Sequence, residues 1–295
     1  MDDIVGTMTA LVTPFKDGKV DEKCYERLIQ RQINHGIDAV VPVGTTGESA
    51  TLDMNEHKRC IQIAVDVTKG TNVKVVAGAG ANATSEAVEL AKSAQKLGAD
   101  AILSVAPYYN KPSQEGLYQH YKKVAQSIDI PCMLYNVPGR TAVDIEPSTA
   151  VRLFENIENI YAIKEATGSL SRTIELLNKA PNMAIISGDD AIDFAMMASG
   201  AKGCISVTAN ILPDIKTQII KLSNDGQFQK AKELNNFLYP LNEVLFCEAN
   251  PIPIKAAMYL SGLIDHLEYR LPLTPPSKTS MKLLEEVLKN YKVQK

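Results

Sequence analysis

The sequence predicts an α/β protein, a closed (β/α)8 barrel of the TIM type with a C-terminal helical extension. Short apolar stretches alternate with helical stretches about eight times, at a spacing of roughly 20 to 35 residues. Short apolar strands are what a sheet buried on both faces requires. Such units join parallel strands by right-handed crossovers. Eight units favour a closed barrel over a doubly wound open sheet, which is the alternative.

The predicted strands are short, apolar and partly β-branched, and glycine, proline or helix signals bound them. They cover residues 7–13, 39–43, 73–77, 101–105, 131–135, 160–163, 183–187 and 203–207. Pro14 ends the first strand, and Gly168 marks the end of the sixth. Lys164 stands at or near the carboxyl end of that sixth strand, where a charged side chain needs a use or a partner.

The predicted helices follow from apolar spacing and from start and stop signals. They cover residues 24–35, 53–68, 84–97, 113–127, 147–154, 169–178 and 190–199. Asp53 and Glu56 resemble a capping box at the start of the second helix. We expect residues 1–224 to form the catalytic barrel domain and residues 225–295 a helical domain. The helices of that second domain are expected at residues 227–247, 252–261 and 280–291.

Composition and charge argue against several functional classes. The net charge of -3, without a basic run, does not favour nucleic-acid binding. No apolar run approaches the ~18 residues of a membrane span, and the first residues lack a signal-peptide layout. The five cysteines and four histidines are scattered without metal-ligand spacing. We therefore expect a cytoplasmic protein without disulfides and without a metal site.

A barrel of this kind carries its reactive groups at the carboxyl ends of the strands and in the loops that follow them. The informative sequences are Gly-Thr-Thr-Gly at 44–47, Pro-Tyr-Tyr-Asn at 107–110, Tyr135, Arg140, Lys164, Gly-Asp-Asp at 188–190, and Ile205. Burial disfavours a charged lysine, and a neutral amine attacks a carbonyl to form a Schiff base. Several polar groups at one barrel end, one of them a buried lysine, favour a catalytic site.

Each group also has an ordinary structural interpretation. Lys164 could cap its strand and pair with Glu165 or with solvent. The Gly-Thr-Thr-Gly sequence could be a turn with hydroxyl caps instead of a nest for a carboxylate. Tyr135 could fill a barrel layer, and Arg140 could be a surface charge instead of a fork for a carboxylate.

One further sequence matches a dinucleotide-binding motif. Residues 78–83 fit the glycine pattern of a dinucleotide-binding turn, but they belong to the third unit of the chain. Asp100, the candidate ribose ligand, precedes its strand instead of following it, so dinucleotide binding is disfavoured.

Four motifs together resemble the dihydrodipicolinate synthase family, within the N-acetylneuraminate lyase superfamily of pyruvate-dependent class I aldolases. They are Gly-Thr-Thr-Gly-Glu-Ser at 44–49, Pro-Tyr-Tyr-Asn at 107–110, Tyr-Asn-Val-Pro-Gly-Arg-Thr at 135–141 and Ile-Lys-Glu-Ala-Thr-Gly at 163–168. The resemblance covers essentially the whole chain. It implies condensation of pyruvate with L-aspartate 4-semialdehyde in the diaminopimelate and lysine pathway, without a metal or an external cofactor.

The resemblance also implies catalytic roles. Lys164 would form the pyruvate Schiff base. Thr46 and Tyr135 would form a proton relay, which Tyr109 would complete from the neighbouring subunit of a tight dimer. The family is usually a homotetramer, a dimer of dimers.

Substrate-binding roles follow from the same resemblance. Thr45, with Thr46, would hold the pyruvate carboxylate. Arg140 would hold the carboxylate of the semialdehyde, and Gly188 and Ile205 would line the site.

Many family members bind their end product lysine at the dimer interface, and the resemblance implies a matching cleft. The matching positions are Ser49, Ala50, His57, Asn82, Glu86 and Tyr108. Glu86 could pair with an ammonium group, and Tyr108 could provide an aromatic wall. Met54 stands where many inhibited relatives have a histidine, so we expect modest inhibition. Alternatively, Asn82 and Glu86 only cap a helix, and His57 is a surface residue.

Two other functions remain possible from the sequence. A sister aldolase, such as N-acetylneuraminate lyase or a keto-deoxy-gluconate aldolase, would act on a sugar acid. Arg140 is the discriminator, because a small charged aldehyde acid needs a guanidinium and a polyol needs hydroxyl donors. A non-catalytic ligand-binding barrel is the other possibility, and the intact Lys164, Tyr135 and Thr46 argue against it.

Overall fold

Eight short buried strands close into a parallel barrel, which confirms the predicted fold class. The computed structural model describes residues 3–294. Its strands are β1 (Gly6–Ala10), β2 (Phe15–Lys16), β3 (Lys19–Val20), β4 (Ala39–Val41), β5 (Lys74–Gly78), β6 (Ala101–Val105), β7 (Cys132–Asn136), β8 (Ile160–Glu165), β9 (Ala184–Ser187) and β10 (Gly203–Ser206). All except β2 and β3 belong to the barrel, which β1 closes by pairing with both β4 and β10. The strands β2 and β3 form a separate antiparallel hairpin that was not predicted.

Helices cover the outside of the barrel, so the strands are buried on both faces. The helices of the barrel unit are α1 (Glu22–Asn34), α2 (Met54–Thr68), α3 (Thr84–Leu97), α4 (Gln114–Ala125), α5 (Pro138–Thr141), α6 (Pro147–Asn156), α7 (Leu170–Lys179), α8 (Asp193–Ser199) and α9 (Pro213–Asn224), of which α5 is a single turn at the barrel mouth. The predicted capping box of α2 is present, because Asp53 and Glu56 each accept a hydrogen bond from the other's backbone N–H. The single turn α5 and the helix α9 were not predicted.

Several element ends differ from the predicted ones where distant residues bind the backbone. The first strand stops at Ala10, and the N–H of Val12 then donates to the side chain of Asn210 at 3.2 Å. Helix α8 begins three residues after Asp190, whose carboxylate accepts from the backbone N–H groups of Val207 and Thr208. These partners lie far along the chain, so local sequence patterns do not indicate them.

The helical extension packs directly on the barrel. It consists of α10 (Phe228–Val244), α11 (Ile252–Leu260) and α12 (Lys278–Leu288). Leu241 of α10 and Ile254 of α11 lie in one buried core with Val12 and with Leu28 of α1. The terminal residues of the two predicted units, 1–2 and 295, lie outside the described residues. No helix in the described part of the chain combines the length and apolar character needed to cross a membrane.

Candidate active site

Lys164 stands inside the barrel mouth, near the carboxyl end of β8. Its side chain is 7% exposed, and its Nζ lies 4.3 Å from the centre of the Tyr135 ring on the adjacent strand β7. Within residues 3–294, no carboxylate lies within 4.0 Å of this amine. The lysine is therefore buried without an ionic partner and faces an aromatic ring.

Glu165 does not pair with Lys164, so that alternative from the sequence is wrong. Successive strand residues point to opposite faces, and Glu165 therefore points away from the barrel interior. Its carboxylate accepts from Arg172 Nε at 2.7 Å and from Asn136 Nδ2 at 3.3 Å. Glu165 thus connects β8 to α7, and the Lys164 amine has no hydrogen bond to it.

A cavity of about 360 Å³ opens at this end of the barrel. Every predicted catalytic and substrate-binding residue except Tyr109 lines it. These residues are Thr45, Thr46, Tyr135, Arg140, Lys164, Gly188 and Ile205. They come from five different strand ends or following loops, as expected for a barrel active site. The lining also includes the carboxyl groups of Asp189 and Glu243. The hydroxyl groups, the guanidinium and the amine are the groups that can bind a small carboxylate substrate.

The Gly-Thr-Thr-Gly turn after β4 contacts the segment after β1 on one side and Asn250 on the other. Gly47 is closely packed, because an added Cβ would lie 3.1 Å from both the carbonyl oxygen of Leu11 and Thr13 Oγ1, which is tighter than an ordinary contact. Thr46 is buried, and its Oγ1 accepts a hydrogen bond from Asn250 Nδ2 at 3.0 Å. The turn thus presents Thr46 to the cavity in a fixed position.

Glu48, the next residue, anchors the turn to the helical extension. Its backbone is left-handed at φ 55°, and its carboxylate pairs with Lys255 of α11 at 2.6 Å, fully buried. The backbone N–H of Arg270 donates to the other carboxylate oxygen at 3.1 Å. Glu48 therefore has a structural role in the motif.

Gly188 provides the space that Lys164 occupies. A Cβ at this position would lie 2.8 Å from Lys164 Cε and 2.7 Å from Ala166 Cβ. Ile205 of β10 is buried beside the same cavity. The glycine therefore leaves room for both Ala166 and the lysine side chain, and a larger residue would have to displace one of them.

Arg140 stands at the mouth, on the single turn α5. Its guanidinium is exposed, and Nη2 donates to the carbonyl oxygen of Asn250 at 3.0 Å. The remaining N–H groups are available to a carboxylate, as a substrate fork requires.

Tyr109 lies outside the cavity of its own chain. It is 88% exposed, its backbone is left-handed at φ 77°, and its N–H donates to the carbonyl oxygen of Thr141 at 3.3 Å. An exposed tyrosine held by an unusual backbone conformation is available to a neighbouring molecule.

A second cavity of about 620 Å³ adjoins the first, and most of the predicted lysine-binding residues line it. These are Ser49, Ala50, His57, Glu86 and Tyr108. Asn82 is not in the wall, and its side chain donates to the carbonyl oxygen of Tyr108 at 3.2 Å. Helix α3 begins at Thr84, after Asn82, so Asn82 and Glu86 are not on consecutive turns.

The charges in this second cavity are set by burial. Burial lowers the pKa of His57 to about 4, so the imidazole is neutral near pH 7. His57 is buried, and the alternative that it is a surface residue is wrong. Burial, and then the nearby charge of Glu86, raise the pKa of Tyr108. The lining of this cavity thus contains the carboxyl groups of Glu86 and Glu48 and the guanidinium of Arg140, beside a neutral imidazole and a phenol.

Sequence reasoning missed the contribution of the helical extension. Phe246, which follows α10, and Asn250, before α11, line the first cavity. No signal placed them there, because the barrel rule directs attention only to the βα loops. The Asn-Pro sequence at 250–251 indicates a turn but not its neighbours.

Comparison with known proteins gives a consistent set of relatives. Residues 3–291 match the dihydrodipicolinate synthetase family. A 4-hydroxy-tetrahydrodipicolinate synthase of a Nitratiruptor species is 64% identical over 293 residues, covering 99% of this chain and 100% of the relative. The crystal structure of a chloride-inhibited dihydrodipicolinate synthase from Acinetobacter baumannii, complexed with pyruvate, is 48% identical, with a TM-score of 0.95 over 98% of this chain and 99% of that one. The enzyme from Cyanidioschyzon merolae, with lysine bound, is 38% identical, with a TM-score of 0.94 over 97% and 98% of the two chains.

Proposed function

The chain belongs to the dihydrodipicolinate synthetase family, and we propose that its reaction proceeds through a Schiff base between pyruvate and Lys164. The activity is 4-hydroxy-tetrahydrodipicolinate synthesis, a lyase reaction that condenses pyruvate with L-aspartate 4-semialdehyde on the route to diaminopimelate and lysine. The family works without an external cofactor, so side chains must activate the pyruvate. The observation that carries the proposal is the buried Lys164 amine, which faces the cavity and has no carboxylate partner in the described chain.

Schiff-base formation converts pyruvate into a carbon nucleophile. Lys164 Nζ attacks the C2 carbonyl, and loss of one water leaves an iminium. Because the iminium withdraws electrons, a proton leaves the C3 methyl group and an enamine forms. The Tyr135 ring supports this role, since an aromatic face 4.3 Å from Nζ favours a cation there.

The hydroxyl groups of Thr46 and Tyr135 carry the protons in this scheme. Both residues line the cavity that contains the amine, and Thr45 and Thr46 hold the pyruvate carboxylate. Tyr109 of the partner subunit completes the relay in a tight dimer. Its exposure on the isolated chain supports that assignment. We propose a homotetramer made of two such dimers.

Arg140 holds the carboxylate of L-aspartate 4-semialdehyde at the mouth of the cavity that Gly188 also lines. The enamine C3 attacks the aldehyde carbon and forms the new C–C bond. The amino group of the second substrate then attacks C2, which closes the ring and releases the Lys164 amine. One water leaves overall, and all other atoms of both substrates stay in the product. A guanidinium at this position favours this substrate over the polyol of a sister aldolase.

A coupled assay tests the activity. Pyruvate is supplied with either L-aspartate 4-semialdehyde or N-acetylmannosamine at equal concentrations. We expect turnover with the semialdehyde, and Arg140→Ala should raise its KM by about 10²-fold, because a charge-assisted pair is worth ~2–3 kcal/mol. Turnover with N-acetylmannosamine alone would identify a sister aldolase instead.

We further propose that L-lysine binds in the second cavity and inhibits partially, with modest affinity. The relative from Cyanidioschyzon merolae has lysine bound. Glu86 is exposed to pair with an ammonium group, and the neutral His57 does not repel one. Met54 also lines this cavity, and a thioether gives a weaker polar contact than an imidazole.

The remaining assignments are the division of the chain and its location. We propose residues 1–224 as the catalytic barrel and residues 225–295 as a helical domain that completes the cavity wall. All five cysteines are unpaired, which supports a cytoplasmic location.

A further inference from the structure

One residue of the helical extension, Asn250, contacts two groups of the barrel mouth. Its side-chain Nδ2 donates to Thr46 Oγ1, and its backbone carbonyl accepts from Arg140 Nη2, each at 3.0 Å. Asn250 is 7% exposed and lines the cavity. Its Oδ1 is buried and has no hydrogen-bond partner within residues 3–294. A buried side-chain amide whose Nδ2 is hydrogen-bonded while its Oδ1 is not needs an explanation.

The direction of the bond to Thr46 decides what the threonine can do. A hydroxyl has one proton to donate and two lone pairs that accept. An amide N–H on Oγ1 uses one lone pair and leaves the hydroxyl proton free to point into the cavity. In a reversed amide, Oδ1 would accept a hydrogen bond from the Thr46 hydroxyl. The NH₂ group would then have no acceptor for either of its protons. An unpaired buried carbonyl oxygen is better tolerated than unpaired N–H groups, so the observed direction is favoured.

We propose that Asn250 is a positioning residue that fixes the Thr46 hydroxyl as a donor toward Tyr135 and the bound pyruvate. The inference rests on the proposed Schiff-base function, because the relay acts only on an iminium at Lys164. Asn250 touches no reacting atom and acts through Thr46. It thereby sets the direction in which protons move when C3 loses its proton.

A second contact holds the turn after β4 against the segment that contains Asn250. Lys255, five residues after Asn250, pairs with Glu48, two residues after Thr46, at 2.6 Å with both side chains fully buried. The Lys255 amine also lies 4.2 Å from the centre of the Phe15 ring. The bond between Asn250 and Thr46 therefore joins two segments that a buried ion pair already holds together.

The test separates hydroxyl direction from packing. Asn250→Asp keeps the shape of the side chain but offers only acceptors, so the carboxylate accepts a hydrogen bond from the Thr46 hydroxyl. Asn250→Ala removes the amide and leaves the hydroxyl free to rotate. Both changes are also made in a Thr46→Val background, where no hydroxyl exists. Asn235→Ala is the matched control, because Asn235 of α10 is buried, has an unpaired Oδ1 and lies outside the cavity wall.

Two quantities are measured at saturating pyruvate without the second substrate. One is the fraction of subunits that borohydride reduces to the pyruvate adduct. The other is the rate at which the pyruvate C3 protons exchange in D₂O, followed by NMR, which reports proton removal directly. Thermal unfolding of every variant reports whether it folds.

We expect Asn250→Asp to keep the adduct and to lower C3 exchange by about 10²-fold, with Asn250→Ala losing less. In the Thr46→Val background, neither change should lower exchange further, because the effect is carried by the hydroxyl. Asn235→Ala should keep the wild-type ratio of exchange to adduct. Exchange at the wild-type rate in both Asn250 variants, a larger loss for alanine than for aspartate, or losses that multiply with Thr46→Val would overturn the assignment. Failure of the unmodified protein to form the adduct would contradict the Schiff-base proposal itself.

Discussion

Replacing Gly188 by alanine should disable the lysine without removing any functional group. The new Cβ would lie 2.8 Å from Lys164 Cε and 2.7 Å from Ala166 Cβ, both inside normal contact distance. The φ of Gly188 does not require glycine, so backbone strain does not contribute. The perturbation is therefore purely steric and acts on the side chain that carries the proposed chemistry.

The geometry gives the size of the effect. To restore an ordinary contact of at least 3.4 Å, the Lys164 side chain, Ala166 or the loop after β9 must move by roughly 0.6–0.7 Å. A misplacement of about 1 Å in an active site costs about 10²-fold in rate, so we expect a loss of about 10- to 10²-fold. Overpacking should also lower the free energy of unfolding by about 1–3 kcal/mol.

Time-resolved borohydride trapping of the pyruvate adduct, together with the coupled assay, measures this loss. Gly139→Ala is the matched control, because its Cβ would meet no atom within 4 Å although the residue adjoins Arg140. Adduct formation by Gly188→Ala at the wild-type rate would refute the close approach of Gly188 and Lys164 as the reason for the glycine.

Three further outcomes are expected. Hybrids of inactive Tyr109→Phe and inactive Lys164→Ala subunits should regain partial activity, and no rescue despite proven subunit exchange would rule out Tyr109 acting across an interface. Burial lowers the pKa of His57 and of His120 to about 4 from 6.5, so the unfolded chain binds more protons between these values. Stability should therefore fall as the pH is lowered from about 6.5 to 4, by up to about 3 kcal/mol per histidine, and the variant with both changed to glutamine should show a flatter profile in chemical unfolding. Millimolar L-lysine should lower the initial rate at subsaturating pyruvate, and Glu86→Gln should weaken this effect; an unchanged rate without calorimetric binding would remove the second cavity as a lysine site.

The sequence predicted the architecture because the barrel depends on local patterns. Short sequence patterns indicate both the alternation of strands with helices and the capping box of Asp53, and both are found in the structure. Helix α9 had an available signal, since Pro213 occupies the first helical turn, where proline is favoured. The β2–β3 hairpin is too short to leave a clear pattern.

The site was predictable only where a residue belongs to a strand end or to the loop that follows it. Lys164 and Tyr135 could be placed together because parallel strands end at the same face. Asn250 could not, because its partner Thr46 is 204 positions away and the contact depends on how the extension packs. The pairing of Glu165 with Arg172 was also missed, since strand alternation alone does not reveal which helix residue faces the outer side of β8.

Mass spectrometry of the borohydride-reduced protein shows directly whether Lys164 forms the Schiff base. After incubation with pyruvate, we expect one stable adduct per chain, located on Lys164 and on no other lysine. Lys164→Arg should gain no adduct while keeping its fold. An adduct that persists in Lys164→Arg, or that maps to a different lysine in the unmodified protein, would exclude Lys164 as the Schiff-base residue.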